Sequence, residues 1–153
     1  MRWVTQAQVE QLSEVTDEVV AAFGRLIPQL SRSARPLDRA AIERIAGSGG
    51  STVLIARTDG AITGTLTLVI FTIPTGVRAI IEDVVTDDAA RGKGVATALT
   101  NEAIRIARGA GARTIDLTSR PSRVAAGRLY EKLGFEPRDT RVYRYPVHGP
   151  ADA

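Results

Sequence analysis

Residues 51–86 carry three consecutive strand patterns that are separated only by tight turns. The run STVLIAR is rich in β-branched residues, and AITGTLTLVIFTI alternates threonine with apolar residues at period two. The turn sequences TDGA and PTG stand on either side of the second run, and VRAIIEDVVT follows. Short turns join antiparallel strands, so the sequence predicts an antiparallel meander.

Two helical patterns precede the meander. Apolar residues recur at three- and four-residue spacing from Val9 to Leu26, which predicts an amphipathic helix that ends at Pro28. A shorter helix is expected from Asp38 to Ala46, since Asp38 can cap its start and Gly47 can end it.

A strand–helix alternation follows the meander. The pattern predicts a helix with an apolar stripe from Val95 to Ala107, a strand GARTIDLTS, a helix from Ser122 to Leu133, and two short strands in FEPRDTRVYRYPV. This order requires at least one parallel strand pair with a right-handed crossover. We therefore expect a single α/β (α+β) domain over residues 1–147 and a flexible tail over 148–153.

The composition fits an ordinary globular domain. The chain has 153 residues, of which 44% are hydrophobic and 24% charged. No apolar run approaches the ~20 residues of a membrane span, and MRWVTQAQVE lacks the apolar stretch of a signal peptide. The expected location is therefore cytoplasmic, away from membranes.

The numbers of cysteine, histidine, charged and aromatic residues limit the kinds of site that the chain can form. There is no cysteine, and the single histidine, His148, lies in the tail. These counts argue against a metal site, a cysteine nucleophile and a Ser-His-Asp triad. The net charge is only +3, arginines are spread along the chain, and aromatics make up 5%. Such a pattern does not favour a nucleic-acid partner.

The stretch ARGKGVAT opens the third predicted helix. A Walker loop would need G-x-x-x-x-G-K-[ST], and a Rossmann loop would need a third glycine where Thr97 stands. The pattern that fits is R-x-x-G-x-A, filled by Arg91, Gly94 and Ala96.

This pattern is chemically suited to a phosphate. Glycines allow the backbone to approach a ligand closely, and the first N–H groups of a helix lack internal partners. Together with the helix dipole they favour a pyrophosphate, to which Arg91 and Lys93 add charge. A plain glycine turn before a helix is the alternative.

A second motif, AAGRLYEKLGF, spans Ala125 to Phe135. The two motifs together strongly resemble the GNAT superfamily of acetyl-CoA-dependent N-acetyltransferases, and the order of elements agrees over nearly the whole chain. The resemblance implies a mixed, mostly antiparallel sheet of six to seven strands with about four helices. It also implies a V-shaped splay between the fourth and fifth strands, from Thr86 to the strand at 114–118, that holds acetyl-CoA.

The resemblance also implies roles for individual residues. The pantetheine arm pairs with the strand near Thr86, the pyrophosphate sits on the amides of the glycine loop, and Tyr130 protonates the departing thiolate. Arg123 stands where the family often has a cofactor-contacting asparagine. The implied cofactor-binding set is Val84, Val85, Thr86, Arg91, Gly92, Lys93, Gly94, Val95, Ala96, Thr97 and Arg123.

Glu82 and Asp83 are the candidates on the acceptor side. The segment IEDVV is similar to that of glucosamine-6-phosphate N-acetyltransferases, in which an acidic pair lies at the active site. An attacking amine must be neutral, so we assign Glu82 first, and Asp83 second, as the base or substrate anchor. On a regular strand only one of the two faces the cleft, and a structural salt bridge is the alternative. Arg32 and Arg35, in the loop after the first helix, would favour an anionic acceptor.

The predicted function is transfer of an acetyl group from acetyl-CoA to a primary amine of a small molecule or peptide. The amine attacks directly in a ternary complex, since no cysteine is present to carry the acetyl group. Backbone N–H groups near Val85 would polarise the carbonyl. A catalytically silent CoA-binding or sensing module is the first alternative, and a basic nucleotide- or nucleic-acid-binding protein is the second. The segment TRVYRY is compatible with a homodimer formed by strand pairing.

Overall fold

The computed structural model describes residues 6–149, which divide into two compact units. The first unit ends at Arg120 and the second begins at Pro121. The single domain over 1–147 and the flexible tail stay predictions, and residues 150–153 of that tail lie outside the described residues.

Five strands and four α-helices make up the described residues. The strands are β1 (Gln8–Gln11), β2 (Ser51–Thr58), β3 (Ala61–Ile73), β4 (Gly76–Thr86) and β5 (Ile115–Asp116), and the helices are α1 (Asp17–Leu30), α2 (Arg39–Ala46), α3 (Val95–Gly109) and α4 (Val124–Lys132). The strands form one sheet in the order β1-β2-β3-β4-β5. Only β4 and β5 are parallel, which confirms a mixed, mostly antiparallel sheet.

The predicted meander is confirmed almost to the residue. β2 and β3 are joined by Asp59 and Gly60, which have φ angles of 51° and 84°. Two consecutive positive φ angles are those of a type I′ turn, the turn that an Asp-Gly pair favours. Thr58 then lies opposite Ala61, and this pairing sets the register of the hairpin.

The first predicted helix was wrong at both ends. Val9 lies in β1 opposite Ala56, because the edge of β2 offers it a backbone partner. α1 begins only after Thr16, whose Oγ1 accepts a hydrogen bond from the Val19 N–H at 3.3 Å. The helix also continues past Pro28 to Leu30, since a proline in the last turn lacks only one internal hydrogen bond.

Helices cover both faces of the sheet. On one face, apolar residues of α1 and Ile42 of α2 pack with Val53, Ile55 and Val85. Gly64 of β3 pairs with Thr86, the neighbour of Val85, so its Cα–H points to the opposite face. There α3 packs, and its buried residues are Val95, Leu99, Thr100, Ala103 and Ala107.

The second half of the chain contains less strand than predicted. GARTIDLTS contributes only Ile115–Asp116, and residues 135–147 form no strand in the structure. Within residues 6–149 the sheet therefore has five strands rather than the predicted six or seven. The reason is that β-branched and aromatic residues favour a strand only where a hydrogen-bonding partner lies alongside. The helix predicted over 122–133 is confirmed as α4, and Gly134 follows it with φ 103°.

Gly64 is the point at which α3 comes closest to the sheet. A Cβ at this position would lie 2.6 Å from Val95 Cγ1, 3.0 Å from the Val85 carbonyl oxygen and 3.2 Å from Leu99 Cδ1. The first contact is too short for real atoms, and the second involves backbone within the sheet. Only glycine therefore allows the first turn of α3 to pack here.

We predict that Gly64→Ala lowers the free energy of unfolding by about 1–3 kcal/mol, because the new methyl group overpacks the interface. Gly24→Ala is the matched control: a Cβ there meets nothing within 4 Å, and the site is exposed in α1. The control should stabilise the protein by about 0.5–1 kcal/mol through its better helix propensity. Urea unfolding measures both, and equal stabilities would refute the close-packing argument.

Candidate active site

The edge of β4 that faces β5 is open over half its length. β5 pairs with β4 only at Ala79 and Ile80, so residues 81–86 have no strand partner on that side within residues 6–149. An unpaired strand edge presents N–H and C=O groups that an extended ligand can use as a second strand would. The predicted splay between the fourth and fifth strands therefore begins after Ile80.

A β-bulge interrupts β4 within this open stretch. On the β3 side, Thr65 pairs with Val85 and Thr67 pairs with Glu82. These paired residues are two positions apart on β3 but three positions apart on β4, so β4 contains one extra residue here. The extra residue is accommodated at Asp83, which has a φ of 49°. Asp tolerates this left-handed conformation better than most residues, but it is still strained.

The bulge alters the expected alternation of the acidic pair. Glu82 and Asp83 are both exposed, although they are consecutive, because β4 is not regular at this point. Glu82 lies opposite Thr67, which in turn lies opposite the core residue Val53. The Glu82 carboxylate is therefore on the α1–α2 face of the sheet, beyond the part that the helices cover.

The structure adds a carboxylate that the sequence reasoning missed. Asp116 of β5 lies opposite Ile80, two residues before Glu82, and is exposed. Paired residues share a face and alternate residues on a strand do too, so Asp116 and Glu82 are on the same face. The sequence showed an acidic residue in this strand, but only the register with β4 decides its face.

The glycine loop ends in an uncapped helix. Gly92 and Gly94 have φ angles of 76° and 78°, which explains why both positions are glycine. Gly94 is the N-cap of α3 and offers no side-chain hydrogen bond to the first turn. The internal ladder begins with the Ala98 N–H, which donates to the Gly94 carbonyl oxygen at 3.0 Å. The preceding N–H groups are thus free to bind an anion.

The cations of the loop are at the surface. Arg91 forms an ion pair with Asp88 at 2.7 Å, and both side chains are well exposed. Lys93 is exposed as well. An exposed pair of this kind contributes only about 0–1 kcal/mol, so Arg91 can exchange its carboxylate partner for a phosphate at little cost.

Tyr130 and Arg123 belong to the second unit. Tyr130 is half-buried on α4, and its ring makes an edge-to-face contact with Phe135, with centroids 5.8 Å apart. Burial raises the pKa of the Tyr130 phenol, while the positive charge of Arg123, at the start of α4, opposes that rise. The phenol is therefore protonated at neutral pH and can donate a proton.

The first unit brings the remaining predicted residues together in one stretch of chain. It runs from the bulge of β4 through the end of the strand and the glycine loop into the first turn of α3. An acidic pair, an open strand edge and uncapped helix amides thus follow one another within sixteen residues, 82–97. The family comparison covers this whole stretch, since the model of the acetyltransferase (GNAT) family matches residues 14–135.

The chain belongs to the GNAT acetyltransferase family. The match includes the glycine loop and the Tyr130 motif, and it spans most of the chain. Membership confirms the resemblance on which the sequence prediction relied. No curated protein sequence matches the chain.

Solved structures agree in fold over nearly their whole length. An acetyltransferase from Trypanosoma brucei is 25% identical, with a TM-score of 0.75 over 92% of this chain and all of the other. An aminoglycoside acetyltransferase from an uncultured soil metagenomic sample is 27% identical, with a TM-score of 0.75 over 93% and 99%. Glucosamine-6-phosphate N-acetyltransferase from Arabidopsis thaliana, at 20% identity, a TM-score of 0.76 and coverage of 92% and 98%, shares the fold.

Residues 6–149 contain four α-helices and exposed acidic side chains. None of the helices there is long and apolar enough to cross a bilayer. The same residues contain no group of three or more His, Cys, Asp or Glu side chains arranged to hold a metal ion.

We predict that Asp83→Val lowers the free energy of unfolding by about 1–2 kcal/mol, because a β-branched residue resists the left-handed conformation. Asp83→Asn, the matched control, should keep wild-type stability, since asparagine adopts this conformation as readily. Chemical denaturation compares the variants. Equal stability of Asp83→Val and Asp83→Asn would contradict the assignment of the bulge.

Proposed function

We propose that this protein is an N-acetyltransferase that transfers an acetyl group from acetyl-CoA to a primary amine. The observation that carries the proposal is the family match across residues 14–135, which includes both the glycine loop and the Tyr130 motif. The uncapped amides at the start of α3 support it, because they suit a pyrophosphate.

Different cofactor-binding residues would bind different parts of acetyl-CoA. The open edge at Val84–Thr86 would pair with the amide-containing pantetheine arm, as an added strand does. The pyrophosphate would lie on the N–H groups of the loop and helix start, with Arg91 and Lys93 balancing its charge. When bound, acetyl-CoA supplies the activated thioester. Arg123 is proposed as a further contact to a phosphate.

Two side chains would handle the protons of the transfer. Glu82, directly or through a water, takes one proton from the acceptor's ammonium group, so that the neutral amine can attack the thioester. The second proton of the nitrogen is lost to solvent as the C–N bond forms. Tyr130 donates its proton to the sulfur as the C–S bond breaks, so CoA leaves as the thiol. The raised pKa of the Tyr130 phenol is consistent with a proton donor at neutral pH. N–H groups near Val85 would stabilise the carbonyl oxygen as negative charge develops on it.

The acceptor is proposed to be a cationic amine of a small molecule or peptide. Glu82 and Asp116 present carboxylates on one face of the sheet, and Asp83 is exposed beside them. Carboxylates attract ammonium groups and favour such substrates over anionic ones. Arg32 and Arg35 would act in the opposite sense. The similar soil protein is named as an aminoglycoside acetyltransferase.

Calorimetric titration with acetyl-CoA and acetylation of an amine panel test the function together. The panel contains aminoglycosides, polyamines, amino sugars, amino sugar phosphates and peptide N-termini, and release of CoA is the readout. Binding of acetyl-CoA with turnover of a cationic amine supports the proposal. Binding without turnover on any amine favours the silent CoA-binding module. Failure to bind acetyl-CoA would reject both.

We predict that Tyr130→Phe lowers kcat by about 100-fold or more, because the thiolate would then leave without a general acid. The variant removes one oxygen atom and keeps the ring that contacts Phe135, so the affinity for acetyl-CoA should stay within about twofold of wild type. Steady-state kinetics and calorimetry measure the two effects. An unchanged kcat would remove Tyr130 from the mechanism.

We predict that Arg123→Gln moves the alkaline limb of kcat to higher pH. Activity requires the protonated phenol and is lost as the pH rises through the pKa of Tyr130. The charge of Arg123 lowers that pKa, so its removal lets burial raise the pKa further. Arg128→Gln, on the same helix, is the matched control and should leave the profile in place. The profile is measured at saturating acetyl-CoA, and coincident limbs would exclude the coupling.

A further inference from the structure

Gln29, near the end of α1, is hydrogen-bonded to the segment that joins β4 to the glycine loop. Its Oε1 accepts from the Asp88 N–H at 2.8 Å. Its Nε2 donates to Asp87 Oδ1 at 3.5 Å and to the Arg25 carbonyl oxygen at 3.1 Å. One side chain thus holds two consecutive residues of the segment to the helix.

Asp87 is the centre of this contact. Its side chain is only 19% exposed and lies 3.7 Å from Arg25 Nε. Asp87 Oδ1 also accepts from the Ala89 N–H at 3.2 Å, and the Asp87 N–H donates to the Thr63 carbonyl oxygen at 2.8 Å. Arg25 in turn donates to the Ile62 carbonyl oxygen at 3.0 Å. Helix α1, strand β3 and the segment therefore meet at Asp87, α1 through its carboxylate and β3 through its backbone N–H.

These contacts fix one end of the glycine loop. Asp87 begins a short 3-10 turn over Asp88–Ala90, and Ala90 is buried. The other end of the loop is fixed by Val95, the first residue of α3, which is buried against the sheet at Gly64. Between the two buried residues stand four exposed ones, 91–94. Where their amides lie depends on both ends, and binding requires them to be held within about 0.5 Å.

The chemistry of Gln29 suits this place. The Asp88 N–H donates to the Gln29 amide oxygen, and the Asp87 carboxylate accepts from the Gln29 amide nitrogen. An amide side chain offers both an acceptor and a donor, whereas glutamate lacks the donor and methionine lacks both. Although Gln29 is exposed, its side-chain amide therefore pairs with two adjacent groups of opposite kind.

We infer that Gln29 is a positioning residue for the glycine loop, and that through Asp87 and Asp88 it sets the affinity for acetyl-CoA without touching it. The identity of the ligand as acetyl-CoA rests on the proposed function. The hold on the loop, meaning the hydrogen bonds by which Gln29 positions it, does not rest on that function. The link also joins α1, whose end leads into the loop with Arg32 and Arg35, to the cofactor-binding segment.

Gln29→Met tests the inference, because methionine keeps the length and helix propensity of glutamine but makes no such hydrogen bonds. Gln8→Met is the matched control: Gln8 is exposed on β1, three strands away from β4. Hydrogen exchange in the ligand-free protein is the first readout. Protection of the Asp88 and Ala89 amides should fall about fivefold or more in Gln29→Met alone, with α1 itself unchanged.

Calorimetry and kinetics give the second readout. We expect Gln29→Met to weaken acetyl-CoA binding about five- to tenfold, and to raise KM for acetyl-CoA with little change in kcat, because the chemical groups stay in place. If Gln29 had only a structural role, Gln29→Met would lower the urea midpoint and would not raise KM for acetyl-CoA while leaving kcat unchanged.

The outcomes separate the two proposals. Unchanged loop exchange in Gln29→Met, or an equal change in Gln8→Met, overturns the inference whatever the ligand. Increased exchange with unchanged acetyl-CoA affinity also overturns it, because the hold on the loop would then not govern binding. Increased exchange in a protein whose wild type binds no acetyl-CoA supports the hold on the loop and rejects the proposed function.

Discussion

The close approach of α3 to β3 at Gly64 is the contact on which the candidate site depends. Gly64 pairs with Thr86, the last residue of β4, and its missing side chain makes room for Val95, the first residue of α3. The chain must therefore leave β4 and return to the sheet within the nine residues 86–94. The two φ-positive glycines make that return possible, and it leaves the amides of the helix start uncapped.

Local rules were enough where local interactions decide the structure. The meander and α2 followed from strand periodicity, from an Asp-Gly turn and from the cap at Asp38, whose Oδ1 accepts from the Ala41 N–H at 2.8 Å. The prediction for Val9 was wrong, because its three-residue spacing to Leu12 favours a helix whereas pairing with β2 places it in a strand. The prediction of strands in 135–147 was also wrong. It rested on strand propensity alone, which does not by itself form a strand.

The site shows the same division. The glycine loop could be predicted, because Gly92 and Gly94 adopt positive φ angles that favour glycine and their spacing is visible in the sequence. The bulge at Asp83 could not, since it arises from a mismatch in register between β3 and β4 that neither strand reveals alone. The Gln29 contact joins residues 58 and 59 positions apart, and no local pattern connects them. Asp116 was visible, but its face depended on its pairing with Ile80.

The two adjacent aspartates before the glycine loop, Asp87 and Asp88, differ in exposure and in their contacts. Asp87 is largely covered, and its hydrogen bonds to Ala89 and Gln29 tie it to the scaffold. Asp88 is exposed, and its carboxylate contacts Arg91 in a pair that contributes at most about 1 kcal/mol. Replacing Asp88 by a phosphate at Arg91 therefore need not disturb Asp87. Asp87 thus holds the backbone of the segment, whereas Arg91 is the cation that would bind a phosphate. A ligand could therefore pair with Arg91 while the backbone amides stay in position.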